Sequence, residues 1–294
     1  MTTQTGGIRQ LDHVEEFISA IHLYYHKTND KEWLSSRIIY ARKAWQYLNG
    51  RTKKYLLVGD YSNVAGNDWA DQIRRNGESS FINAYWYKNT LEMEDMEKAL
   101  GNKTGADFYQ VYASRIKDAF NQEFWIRSKP KNCDKGQVGH YLSWVDKKGP
   151  HDYFEVDGNA LAVAVGLSDE VQSSEIMDFI NNHFDYFVDK NGASRVLCGT
   201  YSTDDTAMKA GVSQNGGYWY IVSYYMAFAE KKTGHIDRLL DFWNRVATAS
   251  EKYKNNGLTE WYYEGGEPGG AMNYSWSLAL PLFLKSLLDA PCSF

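Results

Sequence analysis

The chain has 294 residues, with 32 basic and 37 acidic side chains and a formal net charge of −5. It contains no long basic run that would neutralise a phosphate backbone, so nucleic acid is excluded as an expected partner. Aromatic residues make up 15% of the chain, and amphipathic rings suit surfaces that must be apolar and still form hydrogen bonds. A carbohydrate-binding cleft is one such surface.

Targeting signals and paired cysteines are not evident in the sequence. The amino terminus lacks the apolar core of a signal peptide, and no stretch approaches about 18 apolar residues, which predicts a cytoplasmic protein without a membrane partner. Residues 1–10 are expected to be a disordered tail or a cloning remnant. Cys133, Cys198 and Cys292 form neither a CxxC motif nor an even-numbered disulfide framework, so we interpret them as buried or incidental thiols.

Helical periodicity dominates the rest of the chain. Residues 11–50 predict two helices in an antiparallel hairpin, the first of which buries Leu11, Val14, Phe17, Ile18 and Ile21. The same pattern predicts helices at 81–100, 107–125, 157–166, 169–183, 217–232, 236–253 and 275–288. In the helix over 107–125, the predicted buried stripe is Phe108, Val111, Ile116, Ala119 and Phe120.

These roughly nine helices, with no alternating strand longer than a few residues, predict an all-α fold. The segments between hairpins, 51–80, 126–156, 185–216 and 254–274, are long and rich in Gly, Asp, Tyr and Trp. Loops of this length are usually functional or disordered, and their aromatic content argues against disorder. We therefore expect residues 11–290 to form a single domain, either an α/α toroid or a solenoid of helix pairs, with its loops around one mouth.

Two of these loops carry carboxylates beside aromatic rings. In the first, Asp68 and Asp71 flank Trp69, although so short a motif equally fits a turn or a solvent-exposed loop. The second, residues 258–270, is rich in glycine and holds three glutamates next to three aromatic residues. Two carboxylates on separate loops are what glycosidic bond hydrolysis requires, one as general acid and one as base or nucleophile.

Five motifs in order resemble the six-hairpin glycosidase superfamily. They are the Asp-Trp-Ala-Asp loop with the aromatic stretch 81–87, the helix start at 156–162, the Gln-Asn-Gly-Gly-Tyr-Trp loop at 214–219, and the closing stretches 260–262 and 273–277. The closing stretches are most similar to processing α-glucosidase and mannosylglycerate hydrolase. The Asp-Trp-Ala-Asp loop is similar to that of the cellobiose-phosphorylase type. The resemblance covers residues 10–290 and implies an α/α toroid.

The resemblance also implies roles for individual carboxylates. Glu260 matches the general base, with Glu264 and Glu267 as alternatives, although Glu264 stands where the family usually has Pro. Asp71 matches the general acid, and Asp68 is then expected to bind sugar hydroxyls. Members of the superfamily typically invert configuration, which implies carboxyl groups about 6.5–9.5 Å apart.

Several other residues are expected to contact a substrate or to have structural roles. The predicted substrate-binding set is Asp68, Trp69, Trp86, Tyr87, Trp219, Trp261, Tyr262, Glu264 and Glu267. Asn83 and Asn159 are interpreted as caps or packing amides, and His140 and His151 as surface residues. Arg74 and Arg75 either orient an anionic substrate or are solvated charges, and we favour the second interpretation. No cofactor and no metal site are predicted.

A complete ring of this kind needs twelve helices, and its members usually carry a preceding β-sandwich domain. The resemblance therefore implies an incomplete or minimal toroid, a fragment, or further hairpins contributed by another subunit. The leading interpretation is an inverting glycoside hydrolase that acts on an α-linked sugar or small glycoside. The alternatives are a glycoside phosphorylase, which would require phosphate, and a noncatalytic carbohydrate-binding relative.

Overall fold

The computed structural model describes residues 10–60, 67–253 and 257–289. These ranges contain ten helices, which are α1 (Asp12–Thr28), α2 (Lys31–Asn49), α3 (Ser80–Ala99), α4 (Lys103–Phe124), α5 (Val156–Val165), α6 (Glu170–Asn182), α7 (Phe184–Phe187), α8 (Tyr220–Thr233), α9 (Ile236–Lys252) and α10 (Ser275–Asp289). The predicted helical hairpin organisation is confirmed. Only the four-residue α7 was not expected, because one helical turn is too short to show a periodic pattern.

The segments between the helices contain short strands. In chain order they are β1 (Thr52–Lys53), β2 (Leu56–Leu57), β3 (Glu78–Ser79), β4 (Trp125–Ser128), β5 (Val138–Tyr141), β6 (Trp144–Asp146), β7 (Gly149–His151), β8 (Ser194–Arg195), β9 (Tyr218–Trp219), β10 (Thr259–Tyr262) and β11 (Pro268–Met272). The largest sheet has the order β11-β10-β9-β8. Because the strands have at most five residues, alternation gives too weak a signal to predict them.

The described residues form two compact units. Unit 1 comprises the described residues up to Phe124 together with Trp144–Pro150, and therefore contains α1 to α4. Unit 2 comprises Trp125–Ser143 and the described residues from His151 onward, and contains α5 to α10 with the four-stranded sheet.

Local polar signals set the ends of the helices. The side chain of Asp30 accepts a hydrogen bond from the backbone N–H of Trp33 at 2.9 Å and so caps α2. Asp169 and Gln172 form a capping box at the start of α6. Gly166 and Gly234 end α5 and α8 with φ of 79° and 80°, a left-handed conformation that glycine adopts readily.

Two predicted apolar stripes are corrected by the structure. Phe17 is 47% exposed, Phe108 50% and Val111 53%, so none of the three belongs to the core. On α1 the buried apolar residues are Val14, Ile18, Ile21 and Tyr25. The buried apolar residues of α4 are Ala106, Tyr109, Ala113, Ile116, Phe120 and Phe124. In each helix the predicted buried face is rotated slightly about the helix axis from the observed buried face. A rule based on three-or-four residue spacing is too coarse to detect so small a rotation.

Near the start of three helices, one polar side chain donates a hydrogen bond to a backbone carbonyl. The Oδ1 atom of Asn83 accepts a hydrogen bond from the backbone N–H of Leu57 at 2.6 Å, and its Nδ2 donates to the carbonyl of Ser79 four residues earlier. In α5, Asn159 makes the equivalent bonds to Tyr141 and Glu155. Both asparagines therefore tie a helix to a preceding strand, in agreement with their predicted structural role. In α8, Ser223 takes this position and donates to the carbonyl of Gly192 at 2.9 Å.

The cysteines do not behave as incidental thiols. Cys133 and Cys198 form a disulfide bond, with their Cα atoms 5.1 Å apart, and this corrects the prediction from sequence spacing. The two residues are 65 positions apart, and only the fold of unit 2 brings them together. Cys292 lies outside the described residues, as do residues 1–9 of the tail expected over residues 1–10. Among the helices that the structure describes, none is long and apolar enough to cross a bilayer.

Candidate active site

In unit 1 the Asp-Trp-Ala-Asp loop is held by an ordered network of backbone and side-chain bonds. The Nδ2 atom of Asn67 donates to the carbonyl of Arg75 at 3.2 Å, and the carbonyl of Asn67 accepts from the N–H of Leu11 at 2.9 Å. Asp68 is fully buried and accepts from the N–H of Ala70 at 2.9 Å. These bonds fold the loop back on itself ahead of α3.

Asp68 is buried beside a cation, not a sugar. The guanidinium of Arg75 lies 3.4 Å from the Asp68 carboxylate, and both side chains are completely inaccessible to solvent. A carboxylate in this position supports the loop and has no free edge for sugar hydroxyls. The interpretations of Asp68 as a sugar ligand and of Arg75 as a solvated charge are therefore both corrected.

Asp71 and Trp69 differ from their neighbours because both are half-buried. Their side chains therefore retain contact with solvent, whereas the loop backbone is held by the bonds of Asn67 and Asp68. This arrangement suits a carboxyl group that must reach a substrate while its backbone stays fixed.

A group of buried acids on α1 lies close to Asp68, and sequence reasoning missed it. Burial raises the pKa of Asp12 to about 8, and the nearby charge of Asp68 adds to the increase. Burial also raises the pKa of Glu15 far above its usual value, again with help from Asp12 and Asp68. Neither carboxylate oxygen of Glu15 has a hydrogen-bond partner among the described residues. The available signal was the spacing of Glu15, which is three residues before Ile18 and therefore lies on the same helix face.

We expect Asp12→Asn to flatten the pH dependence of stability. The pKa of Asp12 in the folded protein, about 8, lies above its ordinary value of 3.8. Between these two pH values Asp12 is therefore protonated in the folded protein and ionised in the unfolded chain. The wild-type free energy of unfolding should therefore fall as pH rises from 4 to 8, by up to about 1.4 kcal/mol per pH unit for this one proton. Urea denaturation at several pH values measures the slope. Equal slopes for Asp12→Asn and wild type would contradict a protonated Asp12.

In unit 2, Glu260 lies on β10 opposite a bulge in β11. Thr259 pairs with Met272 but Trp261 pairs with Gly269, so two residues of β11 oppose Glu260. The bulge begins at Gly270, whose φ is +69°, and the N–H of Ala271 donates to Oε2 of Glu260 at 3.3 Å. Bulges re-aim a side chain and are frequent beside active sites. Glu260 is half-buried at this position.

We expect Gly270→Ala to displace Glu260. A Cβ at this position would overlap Oε2 of Glu260 and would lie 2.7 Å from Nε1 of Trp261, in addition to the strain of a positive φ. Gly234→Ala is the matched control, because its φ is +80° and no atom lies within 4 Å of its added Cβ. Both variants should lose about 1–2 kcal/mol of stability from the backbone alone. Only Gly270→Ala should also lose activity, and equal activity losses would contradict the role of the bulge.

The aromatic residues near Glu260 are buried to different extents. Trp219 and Trp261 stack across neighbouring strands, with ring centroids 6.3 Å apart and an interplanar angle of 17°. They are 4% and 8% exposed, so each offers at most an edge to a ligand. Tyr262 is fully buried, and its hydroxyl lies 3.2 Å from that of Tyr220. The prediction that Tyr262 contacts substrate is therefore wrong in this structure.

The same correction applies to Trp86 in unit 1. Its ring is completely buried, stacks on Trp45 at 5.0 Å, and donates from Nε1 to the carbonyl of Tyr55. Such a ring has no free face for a sugar and is a core residue. Tyr87, which follows it on α3, is 9% exposed.

An arginine that the sequence did not single out lies beside the glutamates of the hairpin. Arg195 on β8 is 4% exposed, and its guanidinium lies 4.6 Å from the ring centroid of Tyr186. It donates to the hydroxyl of Tyr218 at 3.2 Å and lies 3.6 Å from the carboxylate of Glu264. Glu264 itself is 69% exposed, and Glu267 is exposed as well. A buried cation beside the exposed carboxylate of Glu264 suits a polar ligand, but no local sequence motif marks Arg195.

The histidines singled out in the sequence are not surface residues. His140 is completely buried, and its Nε2 lies 2.9 Å from Oδ1 of Asp152. His151 has only 13% of its side chain exposed, and its Nδ1 lies 3.2 Å from Asp205. The sequence offered no signal for these pairs, because the partners come together only through the loops of unit 2.

The predicted site residues therefore fall into two groups, one in each unit. Unit 1 contributes the Asp68–Asp71 loop, and unit 2 brings Glu260, Trp261, Glu264 and Glu267 together on one hairpin next to Trp219.

Comparisons with known proteins find one family. The family model for the bacterial alpha-L-rhamnosidase 6 hairpin glycosidase domain matches residues 12–174, which is more than half of the chain. Among curated proteins, N,N'-diacetylchitobiose phosphorylase from Vibrio proteolyticus is 26% identical over 209 residues. That match covers 66% of this chain and 24% of the relative, so the chain spans about a quarter of the curated relative's length.

Solved structures agree on the fold. The GH78 family rhamnosidase of a Bacillus species superposes with a TM-score of 0.67 at 15% identity, covering 94% of this chain and 26% of that protein. The GH63 mannosylglycerate hydrolase from Thermus thermophilus, in complex with glucose, superposes with a TM-score of 0.65 at 14% identity. In that case 91% of this chain and 74% of the other are covered. At these identities the similarity establishes the α/α toroid type of fold.

Proposed function

Since the chain belongs to the bacterial α-L-rhamnosidase six-hairpin glycosidase family, we propose that it cleaves a glycosidic bond with an Asp71 and Glu260 pair. Asp71 acts as the general acid that protonates the leaving oxygen. Glu260 acts as the general base that deprotonates the attacking water. The substrate is an α-linked sugar or a small glycoside.

The observation that carries the proposal is the environment of Glu260. Its carboxylate is oriented by the N–H of Ala271 at a glycine bulge, next to the stacked pair Trp219 and Trp261. A fixed carboxylate beside aromatic edges suits a base that must hold water against a sugar ring. The hydrogen-bonded backbone of the Asp68–Asp71 loop supports the acid role of Asp71 in the same way.

With one carboxyl group as general acid and the other as general base, we expect the configuration at the anomeric carbon to be inverted. A base that activates water, instead of attacking the sugar itself, needs the two carboxyl groups about 6.5–9.5 Å apart. The product is then first formed with the opposite anomeric configuration to the substrate. Time-resolved NMR of the first product formed tests this, and a product that keeps the substrate's configuration would show that Glu260 acts as a nucleophile.

Phosphorolysis is the second candidate reaction, because the similarity to a chitobiose phosphorylase specifically favours it. In that case phosphate replaces water as the nucleophile and no carboxylate is needed as base. Glu260 would then be dispensable for bond cleavage, whereas Asp71 would still be required to protonate the leaving group.

A substrate panel distinguishes these reactions. The full chain is incubated with α-L-rhamnosides, α-glucosides, mannosylglycerate and N,N'-diacetylchitobiose, each with and without inorganic phosphate. Release of free sugar without phosphate supports hydrolysis, and release of a sugar 1-phosphate only with phosphate supports phosphorolysis. Binding measured by calorimetry without any cleavage would instead support a noncatalytic carbohydrate-binding protein.

The disulfide bond also concerns the cellular compartment in which the protein is found. Disulfides persist mainly in oxidising compartments, so the Cys133–Cys198 bond favours such a compartment over the cytoplasmic location expected from the sequence. Fractionation of the producing cell, with a redox-trapped thiol assay on each fraction, tests this part of the proposal.

A further inference from the structure

Two histidines and one aspartate converge in unit 1, where α1 and α3 carry them. His22 and His26 are four residues apart on α1 and therefore lie on the same side of that helix. Asp95 approaches them from α3, with Oδ2 at 3.1 Å from Nε2 of His22 and at 2.6 Å from Nε2 of His26. One ligand atom from each residue lies within 4.8 Å of the other two.

We propose that His22, His26 and Asp95 bind a divalent transition-metal ion, with Zn²⁺ as the best fit. Zinc accepts imidazole nitrogen and carboxylate oxygen at about 2.0–2.2 Å, and tetrahedral ligands at these bond lengths lie about 3.4 Å apart. The contacts of Asp95 with the two imidazoles are already close to this spacing, so small side-chain movements suffice.

The exposure of the cluster permits entry of a metal and leaves a place for water. The side chains of His26 and Asp95 are 48% and 46% exposed, and that of His22 is 22% exposed. Three protein ligands with an open side match a four-coordinate zinc whose last ligand is water.

A second carboxylate faces the other ring nitrogen of His22. Oε1 of Glu92 lies 3.7 Å from Nδ1 of His22, on the opposite edge of the ring from Asp95. Glu92 is itself held by Lys88, Ser19 and Asn89. Metal-binding histidines commonly have such a partner on the second ring nitrogen, which fixes the ring and its tautomer.

The proposed site is independent of the proposed glycosidic chemistry. His22 is ten residues after Asp12 and seven after Glu15, which places it about 15 Å and about 10 Å along α1 from these two buried acids. A metal there would join α1 to α3 and so stabilise unit 1. From the sequence no metal site is predicted, although His22 and His26 have the His-x₃-His spacing.

Metal titration of the full chain tests the inference. After treatment with a chelator, calorimetry with ZnCl₂ should give one site per chain, and Co²⁺ should produce the visible absorption of a tetrahedral complex. Zinc should also raise the unfolding temperature, whereas Ca²⁺ and Mg²⁺ should not, because imidazole ligands do not suit hard cations. A wild-type chain that binds no zinc and shows no shift would overturn the proposal.

Variants separate a metal site from a simple ion pair. His22→Gln and His26→Gln retain a donor that can contact Asp95, so both should fold while losing the zinc site. Glu92→Gln should weaken binding by about 10- to 100-fold. His13→Ala is the matched control, because His13 is an exposed histidine on the same helix and should leave zinc binding unchanged. Zinc binding of wild-type strength in His26→Gln would overturn the assignment.

Discussion

Glu260→Gln is expected to lower kcat for hydrolysis by about 10²–10⁴-fold, which is the usual contribution of a positioned general base. The amide fills the same space and can keep the contact with the N–H of Ala271, but it cannot take a proton from water. KM should change little because the aromatic surroundings are intact. The measurement is steady-state kinetics on the best substrate of the panel, with circular dichroism to verify the fold.

Asp71→Asn is expected to lose activity in a way that depends on the leaving group. A poor leaving group needs protonation, so hydrolysis of a natural glycoside should fall by the same 10²–10⁴-fold. A nitrophenyl glycoside leaves without help from an acid and should lose much less. Equal losses on the two substrates would contradict the acid role of Asp71.

Two neighbouring glutamates provide the controls for this pair of variants. Glu264→Gln and Glu267→Gln change exposed carboxylates on the same hairpin. They should leave kcat within a few-fold of wild type if Glu260 is the base. If Glu267→Gln instead abolishes hydrolysis while Glu260→Gln does not, the base has been assigned to the wrong residue of the hairpin.

The helical hairpins were predictable because their signal is long and local. The pair α1 and α2 shows it well: an apolar three-or-four spacing runs through each helix, and Asp30 supplies a cap between them. The orientation of α1 about its axis was less accurate. Phe17 was expected inside and is exposed, whereas Glu15 was not expected inside and is completely buried.

The two candidate carboxylates could be named from motifs, but their surroundings could not. The burial of Asp68 depends on its ion pair with Arg75, and the orientation of Glu260 depends on a one-residue register shift at Gly270. Neither relationship is periodic, so neither leaves a pattern in a single sequence. Arg195 approaches Glu264 from a strand about seventy residues earlier in the chain, and only tertiary structure brings such a pair together.

The double variant Cys133→Ser/Cys198→Ser is expected to lose about 4 kcal/mol of stability. The bond closes a loop of 65 residues, and the loss of chain entropy that a cross-link of this length imposes on the unfolded state has about that size at 25 °C. Both cysteines are at most 3% exposed, so the folded protein also loses a packed contact. Urea denaturation without reductant measures the difference from wild type.

Reduction and thiol counting test the same bond without mutation. Of the three cysteines in the chain, only one should react with a thiol reagent in unreduced, denatured protein, and all three should react after reduction. Cys292→Ser should leave the unreduced stability unchanged, because that residue is not part of the bond. Reductant should lower the stability of the wild type to that of the double variant. It should not change the stability of the double variant itself. Three reactive thiols before reduction would contradict both the Cys133–Cys198 bond and the preference for an oxidising compartment.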